Sequence, residues 1–206
     1  MYIRFVKLKP HRIHRSYKFN EVNILVINMK TIILLAILIL FSFNSFSQSY
    51  LGWVTKQVNL REGPGTSYDV IKSLQAGTQI FIVSLDSEDD FYQVVDIATD
   101  KEGFIHRSFI KVGQLVKRND EGMFIPSGQS STSNSELEIF NNTSRTLTLK
   151  LNSDSYTFSP MQKKTLTFIP GAYEYRASAP GVIPNIGTEN LKSDIKYTWQ
   201  FYIITR

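Results

Sequence analysis

From Gln48 onward the apolar residues come in short runs broken by turn-forming residues, and no stretch repeats at the 3.6-residue spacing of a helix. Leu147, Leu149 and Leu151 alternate with Thr148 and Lys150, which gives one dry and one wet face of a strand. Gln79-Ile80-Phe81-Ile82-Val83 is a continuous apolar run of strand length. A chain patterned in this way is expected to be all-β.

Two patterned blocks are visible. In residues 48–112 the strand candidates are Trp53-Val54, Val58–Leu60, Gln79–Val83, Phe91–Val95, Gly103–Ile105 and Ser108–Val112. That many short strands in so few residues suits a small barrel, whose closure removes exposed sheet edges. In residues 136–206 the candidates are Leu137–Phe140, Leu147–Leu151, Tyr156–Phe158, Lys164–Ile169, Tyr173–Ala177 and Tyr197–Ile203. They imply a compact β-sandwich, with Pro170-Gly171 expected to form a type II turn. Residues 113–135 end in Ser127-Gly128-Gln129-Ser130-Ser131-Thr132-Ser133-Asn134-Ser135, a polar tract that reads as a flexible linker.

The formal charge of +5 hints at a nucleic-acid partner until it is located. Residues 1–28 hold six bases (Arg4, Lys7, Lys9, Arg12, Arg15, Lys18) and one acid, Glu21, and Lys30 adds a further base. Seven of the 23 bases and one of the 18 acids thus precede Gln48, leaving 16 bases against 17 acids, a net of −1. The folded blocks carry no basic excess, and no nucleic-acid partner is expected.

Met29-Lys30-Thr31, the apolar run Ile32–Phe41 and the small residues Ser45 and Ser47 have the layout of a signal peptide over 29–47, with cleavage between Ser47 and Gln48. The apolar run falls short of the roughly 20 residues of a bilayer span. An uncleaved N-terminal anchor is the alternative; after cleavage no stable membrane anchor would remain. Residues 1–28 resemble no export element and read as an over-extended start or as part of the leader. The expected product is exported, to the periplasm or beyond. It contains no cysteine, so disulfides, a thiol nucleophile, a zinc–thiolate site and lipoprotein acylation are all excluded.

The most specific string is Val58-Asn59-Leu60-Arg61-Glu62-Gly63-Pro64-Gly65-Thr66-Ser67-Tyr68-Asp69-Val70-Ile71. It reads as a strand entering a tight Gly-Pro-Gly loop, with glycines for backbone angles closed to other residues, and a return to the core through Tyr68, Val70 and Ile71. Leu74-Gln75-Ala76-Gly77-Thr78, Phe91-Tyr92-Gln93-Val94 and Gly103-Phe104-Ile105 follow. In this order the pieces resemble the bacterial SH3 family from Tyr50 to Val112. Phe91 and Phe104 stand where that family usually has tryptophan; the ring is kept and the indole donor is lost.

The resemblance implies a barrel that binds peptides or glycopeptides of the cell wall, or acts as a targeting and spacing module. It places a ligand groove between the loop Arg61–Tyr68 and the acidic turn Asp86–Asp90. Arg61 would pair with a carboxylate, and Tyr68, Phe91 and Tyr92 would stack on the ligand. Against this, aromatic residues in a barrel of this size mostly build its core, and Arg61 also suits a loop-stabilising donor. The second block loosely resembles small β-sandwich add-on domains through Asn141-Asn142-Thr143-Ser144 and Pro170-Gly171-Ala172-Tyr173.

His106 is the single histidine after the leader, which leaves no metal cluster of histidines and no Cys–His dyad. No nucleophile-elbow sequence accompanies it. The adjacent acids Glu88, Asp89 and Asp90 lack both an EF-hand pattern and the separation of paired catalytic carboxylates. A non-catalytic protein without catalytic residues, metal or cofactor is expected. Its partner would be cell-wall peptide or peptidoglycan, or, as the alternative, other envelope proteins with no wall polymer involved.

Overall fold

The computed structural model of the chain describes residues 48–203. The segments 1–28 and 29–47, and with them Ser47 of the expected cleavage site, lie outside the described residues. The all-β expectation holds: the described chain is built from strands and one short 3₁₀ turn, Arg107–Phe109.

Seven strands form the first sheet: β1 (Tyr50–Val54), β2 (Val58–Arg61), β3 (Val70–Leu74), β4 (Gln79–Ile82), β5 (Phe91–Asp96), β6 (Lys101–His106) and β7 (Ile110–Leu115). Their order is β3-β2-β6-β5-β4-β1-β7. Val54, Leu60, Leu74, Ile80, Ile82, Val94 and Ile105 meet as the barrel core. Phe81, between Ile80 and Ile82, points the other way, because successive side chains of a strand face opposite sides. All three are fully buried, so β4 is covered on both faces.

The remaining strands are β8 (Ile125–Gln129), β9 (Ser135–Asn141), β10 (Leu147–Leu151), β11 (Asp154–Phe158), β12 (Lys163–Phe168), β13 (Gly171–Ala179), β14 (Val182–Leu191) and β15 (Ile195–Phe201). They make two four-stranded sheets, β11-β10-β13-β14 and β12-β9-β15-β8, in which β9 and β15 run parallel. The alternating leucines of β10 face inward with Leu137, Ile139, Phe158 and Tyr197. Asn141 is buried at the end of β9; its amide nitrogen donates to the carbonyls of Arg145, Phe158 and Ser159. Thr143 donates to the Asn141 amide oxygen, so the corner is tied by side chains where the ladder stops.

Several expectations change. The segment 113–135 does not run as a free linker: Gly113 to Leu115 complete β7, Phe124 enters the sandwich core, and β8 pairs with β15. Between them, Asn119 bridges to Gly187, and the Glu189 carboxylate accepts from the amides of Met123 and Phe124. β14 is not among the expected strands; it contains Pro184, Asn185 and Gly187, residue types common in turns. It is an edge strand, and Pro184 falls where the pairing with β13 shifts register. Gly171 has no positive φ and opens β13, so Pro170-Gly171 is not a type II turn.

The barrel and the sandwich share a third apolar cluster. Ile186 of β14 packs with Leu51, Phe81, Val95 and Ile97, the outward residues of the barrel strands and of the turn after β5. Beside it, the Glu102 carboxylate of β6 takes Lys150 Nζ at 2.6 Å and also the Arg176 guanidinium. The described residues 48–203 accordingly form one compact body.

Candidate functional site

The loop between β2 and β3 is shaped by one ring. Tyr68 lies over Gly63, where a Cβ would collide with it, and against Gly65. Neither glycine has a positive φ, so the loop needs glycine at Gly63 for close approach rather than for backbone angle. Tyr68 and Val70 are each 48% exposed. The chain therefore does not re-enter the core through them, and of that trio Ile71 alone packs on the barrel core. Arg61 Nη1 donates to the Tyr68 carbonyl at 2.8 Å, fixing the loop's far end.

Between this loop and the 3₁₀ turn lies a cleft of about 400 Å³, lined by Val58, Asn59, Arg61, Thr66, Phe91, His106 and Phe109. Its floor is aromatic. His106 stands edge-on to Phe91, with ring centroids 5.2 Å apart, and is tilted against Phe109 at 5.7 Å. The His106 Nδ1 accepts from the Ser108 backbone amide and lies 2.8 Å from the Ser108 hydroxyl, so the ring caps the 3₁₀ turn that carries Phe109. Lys56 Nζ sits 4.4 Å from the centre of the Phe109 ring, a cation–π contact on a ring that lines the cleft.

Of the four residues expected to bind, Arg61 and Phe91 line the cleft, and Tyr68 covers the adjoining glycine loop. Tyr92 does not line it; it packs on the barrel core. Phe91 and Tyr92 are neighbours in β5, and the strand's period of two sends them to opposite faces. The acidic turn contributes none of the lining residues. Asp89 and Asp90 both have positive φ, and Glu88 and Phe91 exchange backbone hydrogen bonds across them, the pattern of a two-residue type I′ hairpin. Asp90 also holds Arg107 at 2.7 Å.

His106 and Phe109 went unrecognised in the sequence. The signal was there, since His106 follows Phe104 at the alternate position of β6, but a lone histidine carries no chemistry by itself. Among the described residues no group of three or more histidines and carboxylates is placed to hold a metal ion. No described helix is long and apolar enough to cross a membrane, which says nothing of strands.

The seven-stranded sheet curls into a small barrel but is not closed by pairing, since β3 and β7 end it as unpaired edges, contrary to the expected closure; beside its aromatic cleft stand a lysine and an arginine. The bacterial SH3 domain family matches residues 56–111, so the barrel is similar to a bacterial SH3 domain. No curated protein and no solved structure matches the chain. Bacterial SH3 domains are in general protein-interaction or cell-wall-binding modules, and the barrel is similar to them.

Proposed function

We propose that the protein is an exported, non-catalytic module that binds cell-wall peptide or glycopeptide in the cleft between Arg61 and Phe109. The cleft itself carries this reading. An aromatic floor offers stacking surface to a sugar ring or a peptide plane, and Arg61 and Lys56 supply positive charge for a carboxylate. Arg61 spends one nitrogen on Tyr68 and makes no ion pair among the described residues, so its other donors are available. Export rests on the leader pattern at 29–47, and N-terminal sequencing of the product should begin at Gln48; a product that starts at Met29 contradicts cleavage.

Retention on purified insoluble peptidoglycan is the deciding measurement. The protein should sediment with the wall material well beyond an unrelated protein of similar charge, and equal recovery of the two would sink the proposal. Arg61→Ala should weaken retention about tenfold, the worth of one charge-assisted hydrogen bond, with a loss of stability of about 1 kcal/mol from the bond to the Tyr68 carbonyl. Tyr92→Ala should lower stability through the core with retention per folded molecule intact.

A further inference from the structure

A second recess, of about 310 Å³, lies where the barrel meets the sandwich, away from the aromatic cleft. Its walls bring together Glu102, Lys150 and Arg176, with Phe81, Val83 and Ile186 forming an apolar side. Two cations, Lys150 and Arg176, share the one carboxylate of Glu102, whose other oxygen accepts from Gln93 at 2.5 Å. Arg118 and Glu174, also in the lining, pair with each other at 3.7 Å, so the recess walls carry three cations against two carboxylates, one positive charge in excess. Burial pushes the Glu102 carboxyl up, but Arg176 and Lys150 outweigh it and hold the group below its ordinary value. Glu102 is thus ionised, and both of its oxygens are already hydrogen-bonded.

Arg176 carries the argument. Its side chain is only 10% exposed, and its Nε–H is buried without any acceptor in the protein. A buried donor on a charged group that finds no acceptor keeps the full penalty of its lost hydration, and such groups in native proteins call for an explanation. Asn152 also lines the recess; its side-chain oxygen is used by the Glu174 amide, which leaves the Asn152 amide nitrogen to donate.

We propose that this recess binds the carboxy-terminal end of a peptide. The α-carboxylate accepts from Arg176 Nε and neutralises the surplus charge. Asn152 donates to a peptide carbonyl, and a small aliphatic side chain rests on Phe81, Val83 and Ile186. The volume is at the lower end of the range for small-ligand sites, which suits a chain end and excludes a folded domain. This site is separate from the aromatic cleft, and wall binding there neither requires nor excludes it.

Trialanine, its carboxy-terminal amide and inorganic phosphate are the probes, each titrated into the full chain held in a neutral detergent and followed by nitrogen-15 NMR of the arginine side chains. Trialanine should shift the Arg176 Nε–H signal saturably. The amide and phosphate should each bind about tenfold more weakly or worse, as expected when one charge-assisted contact is lost. Arg176→Lys keeps the charge and removes Nε–H, and should cost trialanine a similar factor. An unmoved Arg176 signal, equal binding of the amide, equal binding of phosphate, or unchanged affinity in Arg176→Lys would each overturn the proposal. If Arg176→Lys does not fold, the signal in the unaltered protein decides.

Discussion

Gly63 lies under the Tyr68 ring with no room for a methyl group, and the neighbouring Arg61 ties down the carbonyl of the same tyrosine. The loop that walls the cleft is therefore set by side-chain contact, and Gly63→Ala must lift the ring or move the backbone. We expect a loss of about 1–3 kcal/mol, the usual cost of overpacking, read as a lower urea midpoint with an unchanged slope. Tyr68→Ala should recover much of that loss in the Gly63→Ala background and little in the parent. Simple additivity in this double-mutant cycle would show that the ring is not the obstacle. Gly63 was legible as an obligatory glycine, but the reason was not. A Gly-Pro-Gly string suggests unusual backbone angles, whereas the need here comes from a ring five residues on. The same gap separates Phe91 from Tyr92. Both were readable as aromatic strand residues, and only the register of β5 decides which one faces the cleft.

The elements divide along similar lines. Strands with clean alternation, such as β10, or a continuous apolar run, such as β4, announce themselves because their burial is written in their own residues. β8 and β14 do not. β8 is an edge strand with every residue exposed, so a polar Pro-Ser-Gly-Gln sequence suffices and reads as linker. The sign that 113–135 was anchored lay in the isolated apolar residues Met123 and Phe124, too few to make a pattern. The hold on this segment also depends on a glycine: a Cβ at Gly187 would run into the Asn119 carbonyl. Gly187→Ala should push the segment from β14 and break the bond from the Asn119 amide to the Ile186 carbonyl. Hydrogen exchange should then quicken at Asn119, Met123 and Phe124 while the amides of β10 stay protected. Unaltered exchange at those three positions would refute the anchoring role.

At the scale of the whole molecule, the continuous apolar run in β4 takes on another meaning. A small barrel standing alone needs only its inward residues, Ile80 and Ile82, to be apolar; Phe81 on the other face calls for a cover, and Ile186 of the sandwich supplies it. The barrel and sandwich are joined by an apolar patch beside an ion cluster, and the two should respond differently to pH. Ile186→Ala should loosen the junction at every pH by about 2–5 kcal/mol, as for other buried truncations. Glu102 acts through its charge. Its pKa is lowered in the fold from the ordinary 4.5, so the unfolded chain binds the proton more readily. Its contribution is complete above 4.5, and is lost as the pH falls below that value through the folded-state pKa. Glu102→Gln should therefore lower stability at pH 7 and converge on the parent in strong acid, with a shallower fall of the unfolding midpoint below pH 4.5. The separation of barrel from sandwich can be followed in the same titration by exchange at Val95 and Ile97, on the barrel side, and at Ile186. If parent and Glu102→Gln lose stability in parallel across that acid range, the junction is held by its apolar patch alone.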